Sequence, residues 1–261
     1  MRRSGKDRGV KVHRFYVAPD SITGGKATVR KDELHHLARV LRLNAGDPVV
    51  VFDGLGWEHQ GLIESIQKDD AIVKIASSLF FERESKLEVW LIQGIPKSDK
   101  MEFIIQKATE LGVRGIIPLE AERSVVKLEG NKKTEKEKRW QKAAVEAAKQ
   151  SRRTIIPTVA AAQKMQQVLN GLPRQRLLLV PWEEGGTPLK TVLRLQNSPM
   201  DEPLPVYILI GPEGGLEKGE VALAQEFGGI PVTLGPRILR TETAGLAAMA
   251  AVMYERGDWG I

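Results

Sequence analysis

Cysteine is absent from this chain of 261 residues, which rules out disulfides, thiolate metal sites and cysteine nucleophiles. Long apolar runs are also absent: none reaches the roughly 18 residues that a membrane span needs. The N-terminal residues are basic but carry no apolar core of the kind that marks an export signal. A cytoplasmic location without membrane contact is therefore expected. Metal chemistry has little to work with. His35 and His36 are adjacent, so on a helix they point to different sides. No His-x-x-x-His pair occurs either, and no metal site is expected. The chain lacks the Gly-x-Ser-x-Gly elbow of hydrolases and both common phosphate-binding glycine patterns.

Apolar residues make up 42% of the chain, enough to build a core. Charge is unevenly spread. Residues 1–14 carry six basic and one acidic side chain, and residues 132–153 carry nine basic and three acidic. With a net charge of +6 overall, the remaining residues sum to −5. Two basic segments on an otherwise acidic body fit a polyanionic partner such as nucleic acid, or a solvated tail and helix face.

The chain has two rhythms. Residues 14–80 contain short strand patterns with turn residues between them, as in a small barrel. One predicted helix interrupts them, over 31–43, with Leu34, Leu37, Val40 and Leu41 on its inner face. A charged connector over 81–86 separates this part from a run of strands alternating with helices. That alternation predicts a mostly parallel sheet covered by helices. The expected domains are 12–80 and 86–261, giving an α/β chain with a β-rich N-terminal part. In the second, Ser98 is expected to cap a helix that stops at Gly112, and a basic helix is expected over 135–151.

The C-terminal quarter carries the strongest signal. A strand pattern at 206–210 runs into Gly-Pro-Glu-Gly-Gly at 211–215. A second, at 230–234, runs into Gly-Pro-Arg-Ile-Leu-Arg-Thr-Glu-Thr-Ala at 235–244. Ligands in parallel sheets bind at the carboxyl ends of strands, where both loops belong. Glycines at 211–215 permit close backbone approach by a ligand, and Glu213 would repel phosphate. A flat heteroaromatic held by main-chain hydrogen bonds fits better. The alternative is a tight turn before a helix. In the second loop Gly235 permits a bend and Pro236 fixes it. Ile238 and Leu239 offer an apolar floor, and Arg240 and Glu242 follow. The segment 244–254 reads as a helix that is apolar on every side, hence buried all round, in the domain centre or, preferably, in a subunit interface.

Taken in order, several stretches resemble the bacterial RsmE family. They are Arg-Phe-Tyr-Val at 14–17, the His-His-Leu-Ala-Arg-Val-Leu-Arg run from 35, Lys-Ala-Thr-Glu-Leu-Gly at 107–112, Glu-Ala-Ala-Lys-Gln-Ser-Arg-Arg at 146–153 and the two C-terminal loops. The likeness covers about residues 14–254, departing only in the basic extension before His13. It implies S-adenosylmethionine-dependent methylation of N3 of one uridine in 16S rRNA of the small ribosomal subunit. It also implies a PUA-like N-terminal barrel that helps hold RNA, a trefoil-knotted SPOUT methyltransferase domain and a homodimer. Carried onto this sequence, the cofactor pocket is expected at Leu209, Ile210, Gly211, Pro212, Gly214, Gly215, Leu234, Gly235, Ile238, Leu239, Thr243 and Ala244. The readings left beside it are a SPOUT enzyme with another RNA target and an RNA-binding or assembly protein without catalysis.

A sulfonium methyl is already activated, so the enzyme's work is to align N3 with it and to manage one proton and one negative charge. Arg240 is the candidate for stabilising the imide anion. Glu242, Glu213 or water is the candidate proton acceptor. N3 lies on the pairing edge of uracil, so the base must be unpaired or flipped out. Arg14, Arg39, Arg42, Lys97, Lys100, Arg123, Arg152 and Arg153 are candidate phosphate contacts.

Overall fold

The computed structural model describes residues 12–81, 84–124, 130–195 and 204–259. The basic extension before Val12 lies outside them. The chain divides into two compact units, residues 1–83 with 152–155 and residues 84–151 with 156–261. Among the described residues no helix is long and apolar enough to cross a membrane.

In the first unit six strands form one sheet: β1 (His13–Tyr16), β2 (Ile22–Thr23), β3 (Lys26–Arg30), β4 (Pro48–Phe52), β5 (Trp57–Ile66) and β6 (Asp70–Phe80). Their order is β1-β4-β5-β6-β3-β2, antiparallel except for β1 beside β4. Alternate side chains from β1, β3, β4, β5 and β6, among them Phe15, Val29, Val51, Ile63 and Val73, meet in a single core. Strands from opposite ends of the pairing order can share one core only if the sheet curls. Register shifts between Gln60 and Gly61 and between Ile63 and Ser65 bend the two long strands.

The helix predicted over 31–43 is shorter and changes pitch. It is α1 (Lys31–His35) followed by a π turn over His36–Val40, closed by Leu41 N–H donating to His36 O at 2.9 Å. The wider turn keeps Leu34 and Leu37 buried but rotates Val40 outward, to 58% exposed.

Arg14 is a second correction. Its guanidinium pairs with Glu58 at 2.8 Å, donates to the Arg153 carbonyl at 2.7 Å and sits 3.8 Å from the centre of the Phe52 ring. Arg153 itself is buried. Arg14 thus ties the 152–155 segment to β1, with its charge already met by Glu58. Arg14→Ala is expected to lower stability by about 2–3 kcal/mol, the scale of lost hydrogen bonds to a charged group, measured by denaturant midpoint. An unchanged midpoint with weaker RNA binding would return Arg14 to the RNA-contacting role.

The second unit is built on parallel strands. In chain order it contains β7 (Val89–Gly94), α2 (Lys100–Glu110), β8 (Gly115–Glu120), α3 (Gly130–Gln150), β9 (Thr158–Val159), β10 (Gln163–Lys164) and α4 (Met165–Gly171). There follow β11 (Leu177–Pro181), β12 (Thr187–Pro188), α5 (Leu189–Leu195), β13 (Val206–Ile210), α6 (Lys218–Glu226), β14 (Gly229–Thr233) and α7 (Thr241–Arg256). The strand order is β10-β8-β7-β13-β11-β14-β12, with β9 also on β8, and every pair is parallel. Side chains alternate across the sheet. Leu91, Leu179, Ile208 and Ile210 join one core with Ile104, Ile105, Trp140, Val192, Met249 and Val252 from α2, α3, α5 and α7. Ile92, Leu178, Tyr207 and Leu209 join another with Val168, Leu169, Val221 and Ala224 from α4 and α6.

Two local expectations change here. Ser98 does not cap α2: it is exposed, with φ +59, while Asp99 occupies the cap position without a side-chain bond. The long basic helix starts at Gly130 rather than 135. Its first turn is held from outside, by Lys133 Nζ donating to the Ala162 carbonyl at 2.9 Å. Within a single chain, α7 is covered on one side. Gly245, Ala248, Met249, Val252 and Met253 face the core, while Tyr254 on the other side is 71% exposed.

Candidate functional site

A cavity of about 590 Å³ opens at the carboxyl ends of β11, β13 and β14, within the size range of small-molecule sites. Three strand-end loops wall it: 211–216 after β13, 233–240 after β14, and the start of the loop after β11 at Trp182 and Glu183. Lys100, at the start of α2, closes the remaining side. Both Gly-Pro loops therefore face the same hollow, although β11 lies between their strands.

Close packing shapes the first loop. A Cβ on Gly94, at the end of β7, would overlap the Pro212 nitrogen and lie 2.7 Å from the Gly211 carbonyl carbon. Glycine at 94 thus lets the β7 strand end touch the loop backbone to backbone. In the second loop Gly235 adopts φ +108, a conformation that favours glycine, which is the bend read from the sequence.

Most of the expected pocket residues meet here. Ile210, Gly211, Pro212, Gly214, Gly215, Leu234, Gly235, Ile238, Leu239 and Ala244 all line the cavity. Leu209 does not, because alternation along β13 turns it into the core on the other face of the sheet. Thr243 does not either; it lies on the exposed side of α7. In its place Thr241 lines the wall, together with Pro181, Trp182, Glu183, Leu216 and Thr233. Trp182 and Glu183 have no motif of their own. Their position just past a buried strand was the available signal.

The charged groups divide into two sets. Lys100 Nζ stands 3.4 Å from Glu213 and 3.3 Å from Glu242, bridging the two carboxylates. Glu213 also accepts the Lys97 N–H at 3.0 and 3.2 Å. Burial favours its protonated form, but hydrogen bonds from its own N–H, from Lys97 and from Lys100 outweigh that and hold it below the ordinary carboxylate range. A carboxyl held low is a weak proton acceptor. Arg240 is different. It lines the cavity from an exposed position, and its guanidinium has no hydrogen bond or ion pair among the described residues. It is a free charged donor at the mouth. Glu183 lies against Gly215, where its carboxylate occupies the space that a β-carbon would need.

The candidate RNA contacts do not behave alike. Arg39, Arg42 and Arg152 are exposed on the first unit, and Lys97 and Arg123 on the second. Arg123 is engaged with the first loop, donating to the Gly214 carbonyl at 3.0 Å. Lys100 belongs to the cavity, not to an outer surface.

The cavity suits a nucleoside-sized ligand. Ile210, Leu216, Leu234, Ile238 and Leu239 provide apolar faces for a flat ring, and the glycine-rich backbone provides main-chain donors and acceptors beside them.

Known proteins share this arrangement. Residues 83–253 match the family model of an RNA methyltransferase domain, and residues 29–76 that of an RNA methyltransferase PUA domain. The ribosomal RNA small subunit methyltransferase E of Bacillus subtilis is 38% identical over 243 residues, covering 91% of this chain and 92% of the relative. Its Synechocystis counterpart is 34% identical over 245 residues, covering 93% and 78%. The crystal structure of a ribosomal RNA small subunit methyltransferase E from Neisseria gonorrhoeae, bound to S-adenosyl methionine, superposes with a TM-score of 0.84 at 33% identity, covering 95% of this chain and 99% of that one.

Proposed function

The chain belongs to the RNA methyltransferase family of ribosomal RNA small subunit methyltransferase E, and on that premise we propose that it methylates N3 of one uridine in 16S rRNA, with S-adenosylmethionine as donor. The observation that carries this reading is the single cavity walled by both Gly-Pro loops, with an unpaired arginine at its mouth. When bound, the cofactor supplies an activated methyl group. The residues of this chain do the rest. Ile210, Leu216, Leu234, Ile238 and Leu239 hold the ring system, and the backbone of 211–215 and 234–235 orients it. Trp182 and Glu183 complete the wall. Glu183 is a suitable acceptor for ribose hydroxyls, as acidic residues are in other nucleotide sites.

Loss of the N3 proton leaves negative charge on O2 and O4 of the base. Arg240 is placed to hold that charge as it forms. Of the two carboxylates on Lys100, Glu242 is the better candidate proton acceptor, since Glu213 is held in its ionised form by three hydrogen-bond donors. Unpairing of the base calls for RNA contacts away from the cavity. We assign these to unit 12–80 and to exposed Arg39, Arg42, Lys97, Arg123 and Arg152, and assign chemistry to 86–261.

Two architectural proposals accompany this. The chain leaves β14, beyond β11, yet α7 packs back against β7 and β13. A return of this kind past the 211–216 loop supports the trefoil knot. The outer face of α7, with half-buried Ala250 and exposed Ala247 and Tyr254, supports a homodimer formed through that helix. The rRNA substrate fits a cytoplasmic enzyme.

Titration calorimetry with S-adenosylmethionine tests the cofactor assignment. Saturable heat is expected, with competition by S-adenosylhomocysteine. A flat titration together with an unchanged melting temperature would favour a non-catalytic RNA-binding protein.

A further inference from the structure

Three buried polar groups link strand β7, the first loop and the start of α7. Gln93 is fully buried. Its amide nitrogen donates to the Gly94 carbonyl at 3.0 Å and to Thr241 Oγ1 at 2.8 Å. Thr241 Oγ1 in turn lies 2.6 Å from the Gly211 carbonyl. The directions are forced. An amide nitrogen only donates, so Thr241 accepts from it, and the single hydroxyl hydrogen remains for Gly211. Turning the Gln93 amide over would set its oxygen against the Gly94 carbonyl and draw the Thr241 hydrogen away from Gly211.

This arrangement has a cost that stability alone does not explain. Gln93 Oε1 is buried and has no hydrogen-bond partner among the described residues. It lies near the space beside Gly245, where an added Cβ would come 3.3 Å from it. A leucine at 93 would fill a similar volume with no unpartnered oxygen. Buried unsatisfied groups are rare in native proteins and call for a reason. The reason on offer is what the relay joins. Gly211 opens the loop expected to hold the cofactor. Thr241 is the first residue of α7, directly between Arg240 and Glu242. One hydroxyl therefore ties the backbone of the cofactor loop to the two side chains assigned to the base.

We propose that Gln93 and Thr241 are positioning residues whose hydrogen-bond relay sets the alignment of Arg240 and Glu242 relative to the Gly211 loop. The inference rests on the methyltransferase reading above and deepens it. Neither residue touches the reacting atoms. Their effect passes through the backbone of the Gly211 loop and the start of α7, so the rate at saturation should fall by a larger factor than cofactor affinity.

The test uses the full chain. Thr241→Val keeps the shape and removes the hydroxyl; Thr241→Ser restores it; Gln93→Leu removes both the donor and the orphaned oxygen. Each is measured for single-turnover methyl transfer at saturating cofactor and RNA, for S-adenosylmethionine affinity by calorimetry, and for melting temperature. Thr241→Val is expected to slow transfer at least about tenfold, since small misplacements of reacting groups have such effects, while affinity falls by a clearly smaller factor. Thr241→Ser should remain close to the parent. Gln93→Leu should slow transfer while the melting temperature holds or rises. A rate that simply follows melting temperature across the three variants would overturn the relay, as would equal losses in rate and affinity for Thr241→Val. A Thr241→Val enzyme as fast as the parent would overturn this inference alone. A parent that binds no cofactor would overturn the functional reading itself, and the relay with it.

Discussion

Arg240→Ala is expected to reduce methyl transfer by about 10²–10³-fold at saturating substrates, the loss seen when a preorganised donor to a developing anion is removed. Cofactor affinity should change far less, because the charge in question exists on the base and not on the donor. Stability should not change either. Arg240 occupies the cap position of α7 with φ −64 and ψ 152, but its side chain makes no capping bond. Its backbone carbonyl, which accepts the N–H of Thr243 and Ala244 at 2.8 Å, survives in alanine. Arg240→Lys should recover only part of the rate, since a point charge replaces a planar fork of donors. Equal losses in affinity and rate would remove Arg240 from the role assigned to it. So would a fall in melting temperature large enough to account for the lost activity.

A second large effect is expected far from any charge. Gly94→Ala places a methyl group where the Pro212 nitrogen already stands, with the Gly211 carbonyl carbon 2.7 Å away. Both obstacles are backbone, so neither can swing aside as a side chain would. The 211–216 loop must shift into the cavity or β7 must withdraw. Overpacking of this kind typically costs about 1–3 kcal/mol. The larger result should be functional, a fall in S-adenosylmethionine affinity of about tenfold or more, because backbone at 211–215 is the expected cradle for the cofactor and shifts of this size matter in ordered sites. Wild-type affinity in Gly94→Ala would mean that the first loop does not shape the cofactor pocket.

What the sequence disclosed follows from how local each signal is. The strands at 206–210 and 229–233 were legible because apolar runs end abruptly at Gly. The two Gly-Pro loops were legible because their residues are contiguous. Leu209 and Thr243 fall outside the cavity lining because a motif names residues without their directions. Leu209 lies on the other face of β13. Thr243 lies two residues, or roughly 200°, around the helix from Thr241. Buried positions on α7 are 241, 245, 248, 249, 252 and 253, and that spacing points Thr243 away from the core. Gln93 and Gly94 read as an ordinary strand end. Their importance comes from partners 148 and more than a hundred residues along the chain, which no local pattern reports. Arg14 belonged to a basic stretch and so looked like a phosphate ligand, but its carboxylate partner, Glu58, sits on β5, across β4 from β1. Helix α7 looked buried throughout because apolar composition does not say which of its faces the fold covers.

The proposed reaction is tested most directly by where the methyl group goes. The purified chain would be incubated with S-adenosylmethionine carrying a deuterated methyl group and with small-subunit RNA or particles lacking native methylation, and the labelled nucleoside identified by mass spectrometry. A single labelled 3-methyluridine per 16S rRNA, absent with Arg240→Ala, is the expected outcome. Label on a ribose, on another base or on no nucleotide at all would contradict the assignment.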